Sequence, residues 1–292
     1  MVMIQVFFTT ASQMLKLVIF ILIGYVLCKR KILNDEMVHG IMALVLKCCV
    51  PIMIFSSLQM DYSAAVLIRG GIVIVLYLLS AAVAYVLAVF LQRKMRLPPR
   101  AGADWRFDAL FSNVGFVGLP VVMALSKGGE AMFYACCVII TNNVFFGSVG
   151  ENLYRRFGGY AAKKVQLKSA LTEPIMIAMA LGLFCFFLRI KMPNIIMECC
   201  DAISAMVSPF IMFSLGALLT KGRLAETFIG RSYYVMILIR MIAAPLVVWA
   251  LGYFLTADRT VLSVVMLMCA MPGPAAAPPL ALKYGDPVWA TR

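Results

Sequence analysis

Nine apolar runs follow one another through this chain and leave little between them. They fall at 6–28, 38–58, 68–91, 107–126, 131–153, 170–190, 195–219, 232–256 and 260–282. Each is near the roughly 20 residues that cross about 30 Å of hydrocarbon. In lipid every backbone N–H and C=O must be paired within the protein, so runs of this length fold as helices. The expected class is an all-α membrane protein. Only 13% of the 292 residues are charged, against about 25% in soluble domains. The first run is too long for a signal peptide, and its basic cluster (Lys29, Arg30, Lys31) follows it, so it reads as a span.

The net charge of +13 does not gather on one solvated face as a nucleic-acid binder requires. Of the 26 Lys and Arg, 18 lie in one alternate set of connections and the tail, and 5 in the other set. Lys16, Lys47 and Arg240 lie within spans. The positive-inside rule then places the amino terminus outside and the carboxyl terminus in the cytoplasm of a multi-pass protein of the cell (inner) membrane. Nine cysteines include the adjacent pairs Cys48-Cys49, Cys136-Cys137 and Cys199-Cys200, but no C-x-x-C, and His39 is the sole histidine. No metal site of ordinary spacing follows, and the pairs read as small apolar packing. No phosphate-binding glycine loop and no nucleophile with a base is visible, so neither enzyme nor cofactor is expected.

Two runs are interrupted. Asn113 to Pro120 reads N-V-G-F-V-G-L-P, and Met271 to Pro279 reads M-P-G-P-A-A-A-P-P. Glycine and proline unpair the backbone where no water can repair the loss, so such breaks survive only beside a cavity or inside protein. In transporters, half-helices of this kind hold substrate near the bilayer midplane.

An ungapped shift of 158 residues pairs Gly24 with Gly182, Lys31 with Arg189, and Ile32 with Ile190. It also pairs Pro51, Phe55 and Ser56 with Pro209, Phe213 and Ser214, Gly115 with Gly273, and Pro120 with Pro278. The reading is a duplicated five-span unit, inverted because five is odd: 1–154 as the first repeat, 155–168 as a cytoplasmic linker and 169–292 as the second. The partner of span 5 would occupy about 289–312, so the design is read as one whose tenth helix is missing from this chain. The 92–106 segment reads as a second basic loop.

The stretches F-S-N-V-G-F-V-G-L-P, M-P-G-P-A-A-A-P-P-L-A-L-K-Y-G-D and C-C-V-P-I-M-I-F-S-S-L together resemble the auxin efflux carrier family, which includes bacterial relatives of the plant PIN auxin exporters. The likeness implies ten helices in two inverted five-helix repeats, with crossed, broken helices 4 and 9 in an NhaA-like arrangement. Spans 1, 2, 6 and 7 would form a scaffold and the rest a transport unit. Asn113 and Pro120 match the family's first crossover and Pro272 the second; the four prolines Pro272, Pro274, Pro278 and Pro279 are a dense set for it.

The candidate substrate-binding residues are Asn113, Gly115, Gly118, Pro120, Asn142, Asn143, Arg240, Pro272, Gly273 and Pro278. Half-helix amino termini carry partial positive charge, which suits a carboxylate. A small organic acid, dicarboxylate or auxin-like, is the expected ligand, the lipid bilayer the surroundings, and a homodimer a candidate assembly; nucleic acid is not expected. Plainer roles stand beside these: a helix cap for Asn113, packing for Thr141, Asn142 and Asn143, and for Arg240 a pairing with Glu151, Glu173 or Asp201. No acidic residue falls squarely mid-span. Beside a secondary carrier stand two alternatives, a non-transporting receptor or scaffold of the same fold and an inactive truncated remnant.

Overall fold

The computed structural model describes residues 2–125, 129–158, 172–220 and 231–274. Among these residues the chain is helical and contains no strand. In order, α1 is Val2–Lys29, α2 Asp35–Ser57, α3 Ala64–Met95 and α4 Pro99–Leu110. A wide turn, Val114–Gly118, leads into Leu119–Leu125, the two together forming α5. Then α6 begins as Gly129–Phe145 and ends as Glu151–Gly158, α7 is Pro174–Leu188 and α8 Asn194–Leu219. Last come α9, which begins as Arg231–Leu238 and ends as Ala244–Leu255, and α10, Arg259–Cys269.

Local chemistry sets the ends. Asn34 caps α2 by accepting from the Met37 N–H at 2.8 Å, and Asp258 caps α10 by accepting from Thr260 and Val261. Proline occupies the first turn of α4 and α7, where its missing N–H has no consequence. Widened π turns at Val45–Cys49, Val114–Gly118 and Ile239–Ala243 each end two residues before a proline, Pro51, Pro120 or Pro245. The proline ring cannot donate and crowds the preceding carbonyls, and a π turn absorbs that locally without ending the helix.

The chain divides into two compact units, each drawn from both halves of the sequence. The first contains α1, α2, α7 and α8 with residues 120–133. The second contains α3, α4, the start of α5, α6 from Tyr134, α9 and α10. Spans 1, 2, 6 and 7 fall in one unit, together with residues 120–133 from spans that the family resemblance assigns to the transport unit.

Within the first unit α1 and α8 lie backbone to backbone. A Cβ on Gly24 would overlap the main chain of Phe213, and one on Gly216 that of Ile21 and Tyr25. Small residues allow this approach, which in lipid supplies the packing that water would otherwise drive. Gly24→Ala is therefore expected to destabilise the protein by about 1–3 kcal/mol through overpacking. Gly40→Ala on α2, where no described atom lies within 4 Å of the added carbon, should be neutral or stabilising by up to about 1 kcal/mol from helix propensity. Thermal unfolding of the two variants in detergent checks the contrast; equal midpoints would contradict the close crossing.

In the second unit the expectation of a loop at 92–106 is corrected: α3 runs to Met95 and Pro99–Leu110 is a helix. Although α4 carries Asp104, Arg106 and Asp108, it is built into the unit. Trp105 is fully buried and its Nε1 donates to the Ala88 carbonyl at 2.8 Å, while Arg106 Nε donates to Gln92 Oε1 at 2.7 Å. The Phe107 ring packs, tilted, 4.8 Å from Tyr154 and 4.9 Å from Phe111, with Phe146 edge-on. Both faces of the helix are thus held, and its carboxyl end is fixed where the first break begins.

Candidate functional site

Helix α4 stops at Leu110, and Phe111, Ser112 and Asn113 are non-helical before α5 starts. The first break thus lies earlier than the glycines suggest: Gly115 and Gly118 belong to the wide turn that follows it. The Asn113 carbonyl starts this turn by accepting from the N–H groups of Val117 (3.2 Å) and Gly118 (2.9 Å). The second break opens at Ala270, directly after α10, and is described to Pro274. Pro278, expected in the site, lies outside the described residues, as does Pro279.

The two breaks meet. The Asn113 N–H donates to the Pro272 carbonyl at 2.9 Å, so each break satisfies a backbone group that its own helix leaves open. Glycine permits the approach on both sides. A Cβ at Gly118 would stand 2.6 Å from Met268 Sδ, and one at Gly273 would stand 2.8 Å from Asp108 Oδ1. Gly115 differs, because no described atom lies within 4 Å of where its Cβ would be. A ligand has room to reach the backbone there.

Arg240 ties α9 to this junction. It is 5% exposed, its Nη1 donates to the Ala109 carbonyl at 3.2 Å and its Nη2 to the Phe111 carbonyl at 2.5 Å. A guanidinium fork therefore covers the carboxyl end of α4, where helix geometry leaves carbonyls unpaired and the dipole is negative. The carboxylate in its electrostatic reach is Asp108. This corrects the pairing expected with Glu173 or Asp201, both of which are exposed, and nothing is described of the Glu151 side chain. Asp104 is buried and Asp108 Oδ1 is closed to solvent, so acidic groups lie inside the packed unit, just before and at the start of the fourth apolar run. Beside Arg240 is a hollow of about 10 Å³ lined by polar Tyr77, Ser80, Ser112 and Cys269, which is the room one water needs.

Asn142 is buried and its Oδ1 accepts from Tyr77 Oη at 2.7 Å, a bond from α3 to α6. Thr141 turns back on the Cys137 carbonyl, and Asn143 is half-buried. Pro120 is buried in the first turn of the regular part of α5 and is grouped with the first unit. Pro272 and Gly273 are exposed. Sequence reasoning missed Asp108, because the segment before it reads as a polar loop.

A larger hollow, about 350 Å³, lies in the first unit between the ends of α2 and α7 and is lined by Leu58, Asp61, Tyr62, Phe186, Arg189 and Lys191 among others. Lys191 Nζ bonds Asp61 Oδ1 at 2.6 Å and holds that carboxyl below its ordinary range. The stability this exposed pair adds is present above the ordinary carboxylate range and lost as pH falls through the lowered value; solvent keeps it small. None of the described candidate residues lines this hollow.

A model of a family described as membrane transport proteins matches residues 9–286. The chain belongs to this family. It is the family of the auxin efflux carriers, to which the motifs pointed. An uncharacterized transporter from Methanothermobacter thermautotrophicus is 26% identical over 284 residues, covering 96% of this chain and 90% of that protein. As a member of this family the protein is a multi-pass membrane transporter. Four of its described helices, α2, α3, α8 and the Tyr234–Leu255 part of α9, are long and apolar enough to cross a membrane by length and composition.

Proposed function

We propose that this transporter is a secondary carrier that moves a small organic acid anion across the cell membrane by alternating access, and that the anion binds where the two breaks meet. The observation that carries the reading is the Asn113 N–H to Pro272 carbonyl bond, which sets the amino-terminal turn of α5 beside the second break. By helix geometry the N–H groups of Val114, Gly115 and Phe116 precede the first intrahelical bond of that turn, and they bear the positive end of its dipole. Gly115 leaves the approach open. Arg240 adds a full positive charge to the same junction.

In this reading the second unit is the moving part and the first the scaffold. The two halves of the chain are inverted copies, the amino terminus lies outside and the carboxyl terminus in the cytoplasm, as the 18 to 5 distribution of basic residues supports. The test is flux in proteoliposomes, after a thermal-shift screen of dicarboxylates and aromatic acids has chosen the probe. Gly115→Val, which fills the open approach to the first N–H groups of α5, should lower flux at least about tenfold, the equivalent of about 1.4 kcal/mol, while the protein still inserts and unfolds cooperatively. Wild-type flux in that variant would overturn the site. Binding of the acids without any flux would make the protein a receptor and overturn the carrier.

A further inference from the structure

We propose that Asp108 takes up and releases one proton with each anion carried, which makes the transporter a proton-coupled one. This rests on the reading that the breaks hold an anion. Its structural support is independent of that reading. Asp108 Oδ1 is closed to solvent and has no hydrogen-bond partner among the described residues. The carboxylate lies flat against the second break, since a Cβ on Gly273 would meet Oδ1 at 2.8 Å and Cγ at 3.1 Å. Its own helix ends two residues later at Leu110, and the first break follows directly at Phe111. Asp108 is thus the acidic group at the junction of the two interrupted helices.

The charged and titratable groups that face it come from three helices. Arg240 of α9 is the cation, Asp104 one turn back on α4 is a like charge, and Tyr154 of α6 lies in the field of both carboxylates. Tyr77 of α3 and Cys269 of α10 act on Arg240. The Arg240 fork is already engaged with the Ala109 and Phe111 carbonyls. An organic anion arriving at the breaks competes with Asp108 for that one guanidinium and is repelled by the carboxylate. Adding a proton to Asp108 removes both conflicts. The step is a carboxylate plus a proton from water giving a carboxylic acid; the O–H bond forms on the side where the anion enters and breaks, returning the proton to water, on the side where it leaves. No oxidant or other reactant is needed. By linkage, the factor by which the proton favours the anion equals that by which the anion favours the proton, and a buried acid used in this way is the usual element of membrane proton relays.

Two measurements on the full-length chain in lipid test this. The first needs no substrate: infrared difference spectra between acid and alkaline buffer should contain a carboxylic-acid C=O band that is lost in Asp108→Asn. Identical spectra for the two proteins would overturn the assignment. The second follows radiolabelled malate, malonate and indole-3-acetate into proteoliposomes with and without an inward proton gradient. Wild type should respond to the gradient. Asp108→Asn should lose the response but still exchange labelled for unlabelled acid, and Asp108→Glu, which keeps the carboxyl, should restore it in part. An unchanged gradient response in Asp108→Asn, or wild-type uptake indifferent to the gradient, would overturn the coupling and leave the carrier standing. If none of the acids moves in wild type, the carrier reading falls and the coupling with it.

Discussion

Arg240→Leu is expected to abolish transport and to lower the stability of the protein measurably. Two effects act together. The buried Ala109 and Phe111 carbonyls lose their donors, and a buried polar group left without a partner costs about 1–3 kcal/mol. Asp108 also loses the cation in its electrostatic reach, and a buried charge is less stable without one. The break in α4 would then have to repair itself by continuing the helix or by drawing in water, and either outcome moves Asn113 away from Pro272. Arg240→Lys should fall between wild type and Leu, because a single ammonium carries the charge but not the planar fork that spans two carbonyls. The double substitution Arg240→Leu with Asp108→Asn should unfold at a higher temperature than Arg240→Leu alone, since the orphaned charge is gone. Thermal unfolding in detergent and flux in proteoliposomes read these effects separately. Arg240→Leu with wild-type stability and flux would mean that the guanidinium does not hold the break.

The second large effect is at Gly273. Gly273→Ala places a methyl group 2.8 Å from Asp108 Oδ1 and 3.1 Å from Cγ, closer than real side-chain carbons approach. Aspartate has a short stem and α4 is held on both faces, by Trp105 on Ala88 and by the Phe107 aromatic group, so the second break is the part that must shift. Overpacking of this kind costs about 1–3 kcal/mol, and here the displaced backbone is the one that accepts from Asn113. Flux should drop by about tenfold or more, the change that 1.4 kcal/mol produces. Gly115→Ala is the control, because no described atom stands within 4 Å of its added carbon. That variant should keep full stability and lose apparent affinity for the anion more than maximal rate. If Gly273→Ala transports like wild type, the contact between α4 and the second break is not part of the working protein.

Much of this was legible in the residues. Long apolar runs allow one kind of backbone pairing in lipid, so the helices could be read from their lengths. Glycine and proline mark the places where a helix cannot continue, so both breaks were found from Asn113 to Pro120 and from Met271 onward. Their boundaries were less visible. In the first break the chain leaves the helix at Phe111, held there by Arg240 from a helix more than a hundred residues away, and no local pattern carries that information. Nor did α4 read as a helix. Its apolar residues Ala101, Ala103, Trp105, Phe107 and Ala109 fall at every second position, a pattern with no helical period, because the helix is buried on more than one side. Pro98 and Pro99 before it were the available sign of a helix start. The polar residues that made it look like a loop are the ones the packing satisfies, with Arg106 on Gln92. Asp108 lies in the same polar stretch, and nothing local marks it as buried.

The junction itself can be probed without any substrate. In a protein whose nine native cysteines have been replaced by serine or alanine, the pair Asn113→Cys with Pro272→Cys brings two thiols to backbones joined by a 2.9 Å hydrogen bond, within the spacing of about 4.4–6.8 Å between Cα atoms that a disulfide spans. A protease site inserted at 159–171 then separates the fragment with position 113 from the fragment with position 272. After mild oxidation of the protein in lipid, the two fragments should run as one species on a non-reducing gel and part on reduction. Fragments that separate without reductant, although both thiols react with a maleimide, would show that the breaks do not adjoin and would contradict the account.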